Sequence, residues 1–554
     1  MPSRRSPLSR PFAPFTVAFA LAASALLAAC EGCRSPGAAG APAAAAPPTL
    51  RLYLSSAVAG ALEPCGCSAN QLGGFDRLAS YLRAQQPLAP NALYLEAGPL
   101  FFLEPVAHGE LPAQDAWKAE AIAGALKTMG FAAWAPGLND WCGGGETFAR
   151  LRASSGGEAL AANLRAGGEG LAPTALREAG GVKVGLVGLS APRRAGVAPA
   201  GVAIGPEAEA LRGAIAELKA KGAQVLVGLA AMPRGEAMRL VDQNPGLHVL
   251  LVGKPFVADD ANDKAAPPVL LGETLVVETA NHLQTLGVVD LYVRDGQFKF
   301  QDAAGVARAS ERAALVGRVE ELEAKLRQWE QDPGVARADV EARRADLARL
   351  RGELRGLETP PPPSAGSFFR FTNVPVADAL GRDEAVSRDM LAYYKRVNDH
   401  NRQAFAGREP PPAEGGQRYV GVEACAACHQ GARDVWKGTA HAGAYATLSR
   451  QYKEFNLDCV SCHVTGYERP GGSTVTQNAA LQNVQCESCH GPGALHVADP
   501  AKKGLIAAQP DPQACVSGCH HSPHVEGFDP VAMMHKVLGP GHGNPDAWPP
   551  KKPR

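Results

Sequence analysis

The sequence predicts a multidomain chain with an α/β amino-terminal part, a helical hairpin, and a carboxy-terminal part of short helices and irregular backbone. Three observations carry this. The length of 554 residues exceeds what one hydrophobic core serves. Strand-length apolar runs alternate with helical stretches across residues 49–300. One Cys-x-x-Cys-His pattern then recurs three times beyond residue 420. Lys plus Arg equal Asp plus Glu at 55 each, which excludes a basic nucleic-acid binder. The 13 Cys are an odd, unevenly spaced set, unlike a plain disulfide framework.

Arg4, Arg5 and Arg10 precede an apolar run from Phe15 to Ala29. It is shorter than the ~20 residues of a membrane-spanning helix, so residues 1–29 read as a signal peptide. Leu27-Ala28-Ala29-Cys30 resembles the lipobox of bacterial lipoproteins. That resemblance implies lipidation of Cys30, export, and a lipid anchor at the periplasmic face of a bacterial membrane, inner or outer; a simple secretory leader is the alternative. Residues 30–48, rich in Gly, Ala and Pro, read as a flexible leash in which Cys33 has no evident role. Loss of the three Arg takes the 55 basic residues to 52 against 55 acidic, a formal charge of −3.

Residues 49–305 carry strand candidates at Leu50 to Leu54, Ala92 to Leu95, Val182 to Leu189, Val225 to Leu229, Leu247 to Val252 and Thr274 to Glu278. Helical stretches such as Ala116 to Met129 and Pro206 to Lys221 separate them. In residues 310–358, Leu315, Val319, Leu322, Leu326 and Trp329, then Val340, Leu347, Leu350, Leu354 and Leu357, keep a three–four spacing on either side of Asp332-Pro333-Gly334. That spacing reads as an antiparallel hairpin with solvated charged faces. Residues 359–417, with Pro360 to Pro363 and Pro410 to Pro412, read as a stiff linker.

Leu52 to Gly60, Glu96-Ala97-Gly98, Ala162-Asn163-Leu164, Val184 to Leu189 and Leu250 to Gly253 resemble the metallophosphatase fold of periplasmic 5′-nucleotidases, an α/β sandwich. Two-metal hydrolysis needs Asp, His and Asn ligands at the strand ends. The aligned positions hold Ala57 and Ala59, Gly98-Pro99, Gly137-Leu138-Asn139-Asp140, Ala231, and Gly253-Lys254-Pro255-Phe256. Only Asn139 and Asp140 retain donor character, so the resemblance implies a scaffold without hydrolase chemistry, serving for docking or ligand binding. The fold would gather Cys65, Cys67 and Cys142 at one rim, as a disulfide or as a redox-active or metal-binding thiol cluster.

Residues 418–545 hold the strongest signal. Cys425, Cys428 and His429; Cys459, Cys462 and His463; and Cys486, Cys489 and His490 are three haem c attachment sites. In each, two thiols make thioethers to one porphyrin and the adjacent His binds its iron. Cys515, Cys519 and His520 form a fourth with one extra residue between the thiols. Structural zinc fits poorly, because zinc requires no His after every second Cys. His441, His496, His521, His524, His535 and His542 can supply the second axial ligands, more than four irons need, and bis-His ligation points to low-potential electron transfer. Porphyrins must form much of this segment's core, packed closely enough to pass electrons.

Tyr419-Val420-Gly421, Trp436, His441, Cys459 to Gly466, and Val484 to Gly493 with His496 resemble the multihaem cytochrome c family of tetrahaem carriers serving hydroxylamine oxidoreductase. The resemblance implies a periplasmic electron carrier with stacked haems. A reductase or oxidase with one open iron, or an active nucleotidase with a cytochrome appendage, are the competing expectations. Haem propionates add to the negative charge, so the expected redox partners present a basic docking surface, alongside the membrane.

Overall fold

The computed structural model describes residues 46–64, 71–107, 112–166, 169–192, 198–256, 262–332, 334–357, 360–476, 479–521, 524–525 and 527–547. The chain divides into units Met1–Ala46 and Pro47–Arg554, and the second is described below. Cys30, Cys33, Cys65 and Cys67 lie outside the described residues. Among the described residues no helix is long and apolar enough to cross a membrane.

Two mixed sheets face each other. The first runs β15 (Gln301–Asp302), β16 (Phe368–Pro375), β14 (Thr285–Tyr292), β1 (Leu50–Ser56), β2 (Ala92–Ala97), β3 (Phe131–Ala135) and β4 (Glu158–Ala159). The second runs β12 (Ala266–Leu271), β13 (Thr274–Glu278), β11 (Val249–Gly253), β10 (Val225–Ala231), β8 (Val182–Ser190) and β7 (Thr174–Ala179). A small sheet of β6 (Glu169–Gly170), β5 (Leu164–Ala166) and β9 (Val202–Ile204) stands apart.

Strand alternation builds the layers. Leu50, Leu52 and Leu54 of β1 point between the sheets, against Val225, Val227 and Leu229 of β10 and Val249 and Leu251 of β11. Tyr53 faces the other way, into a layer made by α1 (Phe75–Gln85), α2 (Pro112–Thr128), α3 (Gly144–Ser154) and α8 (Glu384–Ala404). α4 (Glu207–Ala220) and α5 (Arg234–Gln243) cover the outer face of the second sheet. β10 and β11 are buried on both faces, which is why they read as unbroken apolar runs. Every strand candidate read from the sequence lies in this sandwich.

Residues 359–417 are not a linker, and the sandwich does not close at residue 305. β16 pairs antiparallel with β14 over eight positions, Thr285↔Pro375 to Tyr292↔Phe368. α8 sinks Val386, Met390, Tyr393, Tyr394 and Val397 into the first helix layer. Asp383 caps α8 by accepting from Ala385 N–H (3.0 Å) and Val386 N–H (3.1 Å). α1 locks the connection: buried Asp76 accepts from Arg382 (2.8 Å), and Arg77 ion-pairs with Asp378. Gly73, just before α1, lets the chain pass close to the turn before β14, because at φ +110° a Cβ there would sit 2.8 Å from the His282 carbonyl.

Between these pieces, α6 (Ala309–Trp329) and α7 (Arg337–Arg355) pack through Leu315, Val319, Leu326, Leu347 and Leu350, closing their apolar seam on each other. The carboxy-terminal segment holds helices of four to eight residues: α9 (Val422–Ala426), α10 (Gln430–Lys437), α11 (Ala444–Ser449), α12 (Val460–His463), α13 (Glu487–His490), α14 (Ala494–Ala498), α15 (Gln513–Gly518) and α16 (Pro530–Met533). Its cluster of buried apolar side chains is Tyr445, Val460, Val464 and Val475. So small a cluster leaves the segment to be completed by something other than side chains.

Candidate functional site

Each attachment motif is one tight turn that holds two thiols and a His together. His429 N–H donates to Cys425 O (2.9 Å), and His490 N–H to Cys486 O (3.0 Å), the α-helical spacing. In the fourth motif His520 N–H reaches Cys515 O at 2.8 Å, five residues back, so the extra residue is absorbed as a wider π-type turn.

Three attachment histidines face a second imidazole. His429 and His496 have ring centres 6.3 Å apart, His441 and His520 6.2 Å, and His490 and His542 6.0 Å. Two imidazoles on one iron, each with a metal–nitrogen bond of about 2 Å and a ring centre roughly 1 Å beyond, are separated by about 6 Å. These residues fit haem. The carbonyls of Ala507, Val537 and Ala444 accept from Nδ1 of His490, His542 and His463, each at 2.6 Å, leaving Nε2 of each ring for metal. Burial lowers the pKa of His441, His463 and His520, favouring the neutral ligand form.

Two of the nominated second ligands are not brought to an attachment histidine. His524 packs edge-on against His521 at 5.4 Å, and His535 bonds its own ring back to the Ala532 carbonyl. Among the described residues no imidazole faces His463 across an iron-sized gap.

Neighbouring thiols give the order of the sites: Cys425 lies within electrostatic reach of Cys486, Cys489 of Cys515, and Cys519 of Cys462. Before haem attachment each close pair splits its two thiols, lowering Cys462, Cys486 and Cys515 and raising their partners. Among the described residues no three His, Cys, Asp or Glu side chains converge as a metal cluster. Glu487 is a residue the sequence reading missed. Buried between Cys486 and Ser488, it accepts from the backbone of Val420 (3.0 Å), Gly421 (2.7 Å) and Gly493 (2.7 Å), pinning the flanking turns to the third motif.

In the sandwich, strand-end positions singled out in the sequence lie together. Gly98, Pro99, Gly137, Leu138, Ala231, Gly253 and Pro255, with Ala191, line one recess of about 10 Å³, room for about one water. Ala57 and Ala59 hold left-handed backbone (φ 51° and 49°) at the first metal turn. Of Asn139 and Asp140, the ligands the sequence left available for metal, Asp140 has both oxygens taken by backbone and Asn139 is held by its amide nitrogen. Asn139 donates to Leu103 O (2.6 Å) and Phe256 O (3.2 Å). Asp140 accepts from Leu100 and Phe101 N–H, both at 2.8 Å, and from Gly137 N–H at 2.7 Å. His282, absent from the sequence-based candidates, is fully buried beside this turn, its N–H on Ala57 O (3.1 Å) and its ring edge-on to Phe256. Its signal was a polar Asn281-His282 pair directly after a buried strand. Cys142 is half-buried, and burial pushes its thiol up to about 11, so it stays protonated.

Full burial pushes the Asp140 carboxyl up to about 6, against three backbone donors that lower it. With the folded value above the ordinary 3.8, its contribution to stability is full below about pH 4 and is lost as pH rises through about 6. The stability difference between the native chain and Asp140→Asn therefore shrinks across that window in urea titrations; a pH-independent difference contradicts this.

Residues 424–491 match the family described as cytochrome c554 and c-prime. Cytochrome c-554 of Nitrosomonas europaea is 35% identical over 102 residues, covering 16% of this chain and 43% of that protein, so the chain spans less than half the length of this curated relative. Among solved structures, a 5′-nucleotidase precursor from Thermus thermophilus is similar at 17% identity over 77% of this chain and 72% of its own, with TM-score 0.45. The sulfate thiohydrolase SoxB from the same organism is similar at 16% identity, 64% and 61% coverage and TM-score 0.43. The carboxy-terminal segment, with its paired imidazoles and turn-held thiols, is thus similar to the cytochrome c554 and c-prime family and is of the c-type cytochrome class, with haem c as its cofactor.

Proposed function

We propose that the chain is an exported, lipid-anchored tetrahaem c-type cytochrome that relays electrons, and that its α/β sandwich performs no hydrolysis. The observation that carries the relay is the set of three imidazole pairs at 6.0–6.3 Å, on sites whose thiols neighbour one another in one continuous order. Haem c supplies one-electron chemistry. The chain holds it at Cys425, Cys428, His429 and His496; at Cys486, Cys489, His490 and His542; and at Cys515, Cys519, His520 and His441. Cys459, Cys462 and His463 hold the fourth. Adjacency runs from the first motif through the third and fourth to the second. The lipobox Cys30 supports the anchor, and the formal charge of −3 plus propionates supports a basic redox partner.

A second reading follows from His463. With no facing imidazole among the described residues, the haem that Cys459, Cys462 and His463 would hold is the one that would be open to a small ligand, as an oxidoreductase requires. Support for an inactive sandwich comes from Ala57, Ala59, Pro99, Leu138 and Ala231 in place of ligands, and from the backbone donors that take both oxygens of Asp140.

Pyridine haemochrome analysis with low-temperature EPR of the oxidised chain tests this. The expected result is four haems per chain, three low-spin and one high-spin, with no nucleotide hydrolysis in added Mn²⁺ or Mg²⁺. Two or fewer haems overturn the relay, four low-spin signals overturn the open iron, and sustained turnover overturns the inactive sandwich.

A further inference from the structure

The attachment site without a facing imidazole is also the one the α/β sandwich grips. The six residues before Cys459 are held by α2 and α8. Asn401 donates to Phe455 O (2.8 Å) and to Gln114 (3.2 Å). Gln114 accepts from Leu457 N–H (3.1 Å), and Asn398 accepts from Phe455 N–H (3.2 Å). Gln114, Asn398, Asn401 and Asn456 are all buried, so these bonds form without competition from water. Lys453 ion-pairs with Glu63, in the segment between β1 and α1.

Within this joint lies a charge cluster. Lys118 of α2, 17% exposed, places Nζ 3.0 Å from Asp458 and 3.6 Å from Asp115. Asp458 directly precedes Cys459. The buried Tyr393 hydroxyl, which has no hydrogen-bond partner, lies within the electrostatic reach of Lys118, Asp458, Asp115 and Cys459 together. Burial opposes the Lys118 charge, yet the two carboxylates hold its pKa well above the ordinary value, so the ammonium stays charged.

We propose that the α/β sandwich completes the surroundings of the haem carried by Cys459, Cys462 and His463, with Lys118 as the positioning residue whose charge sets that haem's potential. The proposal rests on the tetrahaem reading above. An oxidised haem carries one more positive charge than a reduced one, so uncompensated carboxylates beside it favour the oxidised state and an ammonium disfavours it. Lys118→Met leaves Asp115 and Asp458 unpaired, and the potential falls. Asp458→Asn leaves Lys118 balanced by Asp115 alone, and the potential rises.

Spectroelectrochemical titration of the full haem-loaded chain tests it. The expected result is a downward shift of one midpoint potential in Lys118→Met, an upward shift of the same one in Asp458→Asn, and native behaviour in Lys118→Arg. The shifted haem is the one lost in Cys462→Ala. Four unchanged potentials in both variants, or equal shifts of all four, overturn the proposal, and Asp458→Asn decides alone where Lys118→Met fails to fold. A native chain lacking haem at Cys459 and Cys462 sinks the tetrahaem reading instead, and shows in the haem count before any variant is made.

Discussion

Replacing His441, His496 or His542 by alanine, one at a time, converts one low-spin haem per chain to high-spin and opens one new carbon monoxide site. Each ring is the second imidazole of a pair, and each pair spans a different attachment motif. Removing it leaves an iron with one strong nitrogen donor and an empty face, so the change is a whole haem, not a fraction. His441→Ala carries the most weight, because its partner His520 belongs to the motif with the extra residue. Loss of a low-spin signal there establishes both the fourth haem and its ligand. Thioether attachment and the proximal bond persist in each variant, so haem content stays at the native count. His524→Ala and His535→Ala leave all low-spin signals in place, since one ring packs on His521 and the other bonds its own turn. An unchanged spectrum in His441→Ala, or a lost low-spin signal in His535→Ala, refutes the assignment.

What the sequence disclosed follows how local each signal is. The strands of the sandwich were legible because alternation or unbroken apolar runs are written within single segments, as in Leu50 to Leu54 and Val225 to Leu229. The attachment motifs were legible because thioether chemistry fixes thiol and imidazole within one turn. The pairing of His429 with His496 was not, because it depends on how the chain returns over a cofactor that dictates the path. The strand-end positions singled out by the resemblance lie together, with Pro99, Leu138 and Ala231 lining one recess. The hold of backbone on Asn139 and Asp140 was invisible, since a polar residue beside a glycine reads the same whether it binds metal or clamps a turn. The linker reading of 359–417 failed for a different reason. Two proline clusters dominated it, while Val386, Met390, Tyr393 and Val397 already marked an apolar helix face whose partner lay three hundred residues upstream.

That last correction makes a fragment spanning 47–305 unable to fold, and extension to residue 407 restores a cooperative transition. Ending at 305 strips β16 from β14, exposing a ladder of eight paired positions beside the central strand β1. It also removes α8, whose Val386, Met390, Tyr393, Tyr394 and Val397 are each no more than 9% exposed. Burying such side chains contributes about 1.5–3 kcal/mol apiece, so five are worth roughly 8–15 kcal/mol. A domain of this size is stable by about 5–15 kcal/mol in total. The loss equals the whole margin before the Asp76–Arg382 and Arg77–Asp378 ion pairs are considered. Circular dichroism with urea titration distinguishes the fragments: no cooperative transition for 47–305, one sharp transition for 47–407. A cooperative unfolding curve from the shorter fragment refutes the claim. The same helix that closes the sandwich presents Asn398 and Asn401 to the segment entering Cys459, so the haem-bearing part begins on the sandwich's own surface and not at the end of a tether.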